Sequence, residues 1–169
     1  VIPGQVGRFD DSFNLNCTGD YFQARKVPTI LFECGHFKQD YVREETRKYF
    51  TFALFTALDA IASGNYLQKD EEDYFRIPEN KKNFRDVILR DAVIEGKVVD
   101  VAIQYSERMK AGEVQFIPLV ETIKERLKLF GHVEINCHKK EVRNENGDTL
   151  SENDIVEAIL LNKEKLLIK

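Results

Sequence analysis

Between residues 40 and 63 the apolar side chains Val42, Tyr49, Phe50, Ala53, Leu54, Ala57, Leu58 and Ile61 recur at three- and four-residue intervals. That spacing predicts a long helix with one wide stripe for burial. Asp40 can cap its start, and Gly64 suits the left-handed position past its end. Upstream, Thr18 is a candidate N-cap for a short helix over 19–25, and Pro28 introduces the apolar run 29–32, which has strand length and strand composition. Glu33 then sits at the C-terminal end of that strand. Helix, strand, loop and long helix in this order make half of an open α/β layer, and a lone strand leaves its ladder groups unpaired. The rest of the sheet is therefore expected from other polypeptide.

The opening residues, with Pro3, Gly4, Gly7 and the polar run 10–12, read as loop. Residues 65–82 are largely acidic and polar and read as a linker. Beyond them the period changes. Val99, Val101, Ile103 and Tyr105 alternate with Asp100, Ala102, Gln104 and Ser106, as in a half-buried strand, and a turn at 110–112 leads to Val114 and Phe116. Further strands are expected at 84–94, 132–135 and 140–143, the last running into the Asn146-Gly147 turn signal. Residues 120–130 and 155–168 fit strand or helix, since Ile155, Val156, Ile159 and Leu160 also have helical spacing. The expected domains are 1–64, a linker over 65–82, and a β-rich accessory domain over 83–169.

A hydrophobic content of 43% is enough for a core and argues against disorder. The net charge of -4, with both signs interspersed, provides no basic field for a phosphate backbone, so no nucleic-acid partner is expected. No apolar run approaches the roughly 20 residues that cross a bilayer, and no membrane partner is expected either. Cys17, Cys34 and Cys137 are odd in number and widely spaced, which fits a reducing, cytoplasmic setting. The single methionine, Met109, makes Val1 an unexpected translation start, so preceding polypeptide is expected.

Read as residues alone, Glu33 can cap a loop or pair with Arg43 or Arg47. His36 can orient a ligand in a cleft or hydrogen-bond at the helix start. Arg8, Arg43 and Arg47 could grip a carboxylate as guanidinium forks, with ion pairs to Glu44 or Glu45 the alternative for the last two. Zinc accepts imidazole and carboxylate together, but His138 and Glu141, although spaced His-x-x-Glu, lie beside a turn in the β-rich half and are read as coincidence. Cys34 with His36, and Cys137 with His138, lack structural zinc spacing, and Cys34 is expected to pack as a small apolar residue.

The run PTILFECGHFKQDYVREETR, from Pro28 to Arg47, resembles the last catalytic segment of the zinc carboxypeptidase-like peptidases, a family that also includes succinylglutamate desuccinylase and aspartoacylase relatives. The preceding NCTGDYFQARKVP is similar to that family's short helix before the strand, and GQVGRFDDSFN to a segment of a bacterial branch with a C-terminal extension. The resemblance spans residues 1–64. It implies a fold class of α/β, part of a zinc-carboxypeptidase-like open sheet with helices, followed by the β-rich accessory domain.

The same resemblance implies that Glu33 is the catalytic glutamate, acting as base toward a zinc-bound water and then as proton donor to the departing amine. Amide hydrolysis needs both steps, because the attacking water must be activated and the nitrogen leaves only when protonated. His36 and Arg8 are the candidate substrate-binding residues. Zinc would be the cofactor of the intact protein, held by the family's His-x-x-Glu pair and third histidine in a missing N-terminal half. None is expected in this fragment, which would be inactive alone. The substrate would be a peptide or an N-acyl amino acid. The family's tyrosine upstream of the short helix has no counterpart here, where Phe13 lies nearby, so C-terminal-residue specificity does not carry over.

Overall fold

The structure, a computed structural model, describes residues 5–9, 12–14 and 16–168. Pro3, Gly4, Asp10 and Asp11 of the opening segment lie outside the described residues. The chain divides into two compact units, Val1–Lys82 and Asn83–Lys169. It has mixed α/β character with few helices, two β-sheets and mostly strands. No helix is long and apolar enough to cross a membrane.

Unit 1 contains α1 (Thr18–Ala24), α2 (Glu44–Ser63), a 3-10 turn (Asn65–Gln68) and α3 (Glu71–Phe75). α1 forms where expected, although Cys17 rather than Thr18 is the N-cap and supplies no side-chain bond. α2 begins four residues after Asp40, because Arg43 adopts a left-handed conformation (φ 63°). Asp40 still acts as the cap by reaching forward, its carboxylate accepting the Thr46 N–H at 2.8 Å, the Thr46 hydroxyl at 2.9 Å and the Glu45 N–H at 3.2 Å. Gly64 takes the left-handed position at the helix end (φ 72°). The linker expected over 65–82 carries the 3-10 turn and α3, which Asp70 caps by accepting the Glu72 N–H.

Two expectations for unit 1 are corrected. The run 29–32 is not a strand, because a strand needs a neighbour for its main-chain groups and among the described residues none pairs with it. The apolar stripe expected over 40–63 is only half-buried at Tyr49, Phe50, Ala53 and Ala57, while Val42, Leu58 and Ile61 are more than half exposed, and Asp40 is the only buried residue among the described residues of this unit. Within unit 1 no sheet is covered by these helices, so an open α/β sheet of carboxypeptidase type is not what the residues form here.

Unit 2 is built from β1 (Phe84–Ile94), β2 (Lys97–Lys110), β3 (Glu113–Lys124), β4 (Phe130–Asn136), β5 (Val142–Asn144), β6 (Ala158–Leu161) and β7 (Glu164–Leu167). The first four form a sheet in the order β3-β2-β1-β4, antiparallel except for the parallel pair β1 and β4; the last three form an antiparallel sheet in the order β5-β6-β7. Alternate positions of the larger sheet, Val87, Leu89, Val101, Ile103 and Val120, meet Val142, Val156 and Ile159 in one core. The outer edge of β3 is closed by 153–156, where Val120 N–H donates to Asp154 O at 2.9 Å and Val156 N–H to Pro118 O at 3.0 Å. Both stretches that fitted helix or strand are largely extended: β3 runs to Lys124, and Asn162 and Lys163, both left-handed, turn β6 into β7.

Candidate functional site

Glu33 lies in a segment without regular secondary structure, 27–37, and is exposed, not fixed at a strand tip as expected. The segment is held to its neighbours by ring contacts, the Thr29 hydroxyl and the Val27 N–H, which donates to Phe22 O at 3.1 Å. Phe32 meets Phe50 of α2 edge-on at 5.7 Å, Phe37 lies 5.6 Å from Tyr49, and Thr29 Oγ1 donates to Gly19 O at 3.4 Å. On its α1 side the segment borders a shallow groove of about 280 Å³, whose wall includes Gly19, Phe22, Thr29, Ile30 and Leu31. Glu33 therefore stands two residues beyond the groove's edge, in solvent.

His36 is exposed in the same segment, three residues on. Arg47 pairs with Glu44 and Lys48 with Glu45, so the ion-pair alternative holds for Arg47. Cys34 is exposed rather than packed as a small apolar residue, because the segment has no second layer over it.

Arg8 is bound to the segment after α3. Its N–H donates to Pro78 O at 2.7 Å, its carbonyl accepts the Asn80 N–H at 2.7 Å, and its Nε donates to Ile77 O at 3.0 Å. The guanidinium lies 5.5 Å from the Phe75 ring centre and 5.8 Å from that of Tyr74, with Glu79 at 3.7 Å. These contacts occupy the fork that a carboxylate clamp would present.

Among the described residues no group of three or more His, Cys, Asp or Glu side chains could hold a metal ion. His132 is buried edge-on against Phe84 at 4.9 Å. His138 sits in a left-handed turn, and Glu141 is taken by Arg143 at 2.7 Å, which holds its carboxyl below the ordinary range.

The densest polar cluster is one that the sequence reading did not single out. Arg90 on β1 donates to Asp100 Oδ2 at 2.9 Å, to Glu134 Oε2 at 3.1 Å, and to the carbonyls of Leu127 at 3.0 Å and Leu129 at 2.6 Å. Asp100 also accepts the N–H groups of Asp91 and Leu127. Burial works against the Arg90 charge, but the two carboxylates outweigh it and raise the pKa above its ordinary value. These bonds all stay within the unit, which makes the cluster a brace for β1, β2, β4 and the 125–129 connection. Its signal was available: an arginine and an aspartate at strand positions among apolar neighbours.

Comparison with models of known protein families finds no match. The curated proteins give none, and neither do the solved structures.

Proposed function

We propose that residues 5–64 belong to the amide-hydrolase domain of a zinc carboxypeptidase-like protein, contribute Glu33 as its proton carrier, and are followed by a β-rich accessory domain. The supporting observation is a pair of uncovered apolar surfaces. Ile30 and Leu31 are 59% and 60% exposed at successive positions of the segment before Glu33, which would be extended in this reading, and Phe55, Leu58 and Ile61 stand open on α2. Successive residues of an extended chain point to opposite faces, so apolar groups on both suit a central strand with layers above and below. α2 would be one of those layers.

In this reading the metal is held by polypeptide outside these 169 residues, as the resemblance implies. The chain's own contribution is a carboxylate that can take up and return a proton at Oε, beside a groove that can hold part of a peptide or an N-acyl amino acid. A second reading is a non-catalytic binding or assembly module in which Glu33 is structural. The commitment of Arg8 to contacts inside unit 1 favours it. The two separate on one experiment. In the intact polypeptide that carries this sequence, Glu33→Gln abolishes amide hydrolysis at unchanged zinc content if the hydrolase reading holds, and retained turnover overturns it.

A further inference from the structure

β2 and β3 remain paired from Gln104↔Leu119 to Lys110↔Glu113, but the pairing of β1 with β2 starts only at Val87↔Ile103. The two longer strands therefore run on as a ribbon whose β2 edge has lost its neighbour. That edge is closed at its first position, where Asp86 Oδ2 accepts the Tyr105 N–H at 2.7 Å. Alternate residues of a strand turn their main-chain groups to the same edge, so Glu107 and Met109 present N–H and C=O there. Among the described residues no strand covers them.

The ribbon is also two-faced. The opposed pairs Tyr105/Pro118, Glu107/Phe116 and Met109/Val114 continue the face that carries Val101, Ile103 and Val120 in the core. Met109, Val114 and Phe116 are 73%, 56% and 60% exposed. The opposite face bears Arg108, Gln115, Lys110 and Glu113. Glu107 is the single charge on the apolar side.

We infer that this ribbon is a docking edge for an extended segment of another polypeptide, one that is apolar at alternate positions and carries a lysine or arginine to meet Glu107. Strand addition supplies the main-chain bonds that Glu107 and Met109 lack, while alternate side chains cover Met109, Val114 and Phe116. The acid in the middle of the apolar strip selects a basic residue. A second copy of the chain fits badly. Antiparallel pairing of two such edges about a two-fold axis puts Glu107 opposite Glu107, Arg108 opposite Arg108, or Arg108 opposite Lys110, according to register, and like charges directly opposite one another destabilise a pair. The inference concerns unit 2 and is independent of the hydrolase reading.

The test uses the whole chain and a fluorescein-labelled synthetic peptide of alternating valine and threonine around a central lysine, with fluorescence anisotropy as the readout. Saturable binding is expected, weaker by about tenfold when the central residue is glutamate. Glu107→Lys should reverse that preference. Met109→Pro, which removes an edge N–H while leaving the pairing with β3 intact, should abolish binding, with circular dichroism showing that both variants are folded. The inference is overturned if neither peptide binds, if the two bind alike, or if Met109→Pro binds as the parent does. A dimer in sedimentation that Met109→Pro dissociates would also overturn it, in favour of a second copy.

Discussion

Arg90 Nη1 donates to Asp100 Oδ2 at 2.9 Å across the β1 and β2 pair, with 10% of the Asp100 side chain and 23% of the Arg90 side chain exposed. Removing Asp100 takes one acceptor from Arg90, which keeps Glu134 and the Leu127 and Leu129 carbonyls, and strands the N–H groups of Asp91 and Leu127 that Asp100 satisfies. Asp100→Ala should therefore lower the unfolding free energy of unit 2 by about 2 to 3 kcal/mol, toward the lower end for buried pairs because Arg90 keeps some solvent contact. Urea denaturation followed on β-sheet circular dichroism measures it. A loss under about 0.5 kcal/mol, typical of an unremarkable surface substitution, would contradict the role of brace.

Gly131 on β4 is buried, and a Cβ there would stand 2.7 Å from Val133 O and 3.2 Å from Ile88 Cγ1. Gly131→Ala is expected to cost about 1 to 3 kcal/mol through forced backbone displacement. The same denaturation experiment reads it, with Gly35→Ala, which meets nothing within 4 Å, as the control.

Three carboxyl groups give the chain an acid dependence of known sign. Burial raises the Asp40 carboxyl, but the bonds from Thr46 and the Glu45 and Glu44 amides outweigh it and hold it below the ordinary range. Glu152 is lowered by the Ile123 amide and then the Thr122 hydroxyl, and Glu141 by Arg143. Each group binds a proton less readily folded than unfolded. Its contribution is complete above the unfolded pKa and declines as pH falls through the folded value. Urea midpoints should fall as pH drops below about 4.5, and Glu152→Gln should flatten that decline.

Asp40→Ala removes the acceptor for three donors at the start of α2. Amide exchange at Glu45 and Thr46 should quicken several-fold while exchange in the middle of α2 changes little. Equal exchange in variant and parent would show that the carboxylate does not cap the helix.

Burial, followed by the charges of Asp91 and Asp100, pushes the Cys137 thiol up to about 11, whereas Cys17 and Cys34 are exposed. A maleimide at neutral pH should label two cysteines in the folded chain and the third only after denaturation, because the thiolate is the nucleophile. Rapid labelling of all three would place Cys137 outside the core.

Much of unit 2 could be read from residue order. β1 coincides with the expected strand 84–94, the alternation around Val99–Tyr105 lies within β2, and left-handed Ala111, Gly112 and Gly147 fall where turn residues were expected. These features depend on neighbours close in sequence. The β6 and β7 hairpin was ambiguous because four apolar residues at 155–160 satisfy two periods at once, and only the Asn162 and Lys163 turn separates them. The run 29–32 shows the opposite limit: its composition suits a strand, but a strand is a relationship between segments, and no described residue pairs with it. Glu33 inherits the same dependence. The Arg90 brace joins residues 10 and 44 positions apart, which no local period announces.

The tie between Arg8 and the 77–80 stretch closes a loop of nearly the whole first unit with a handful of bonds. Closing a loop of that length is entropically slow, so this contact should form late in folding and open early under stress. Proteases given brief access should find residues 77–80 loosened while α2 remains wound.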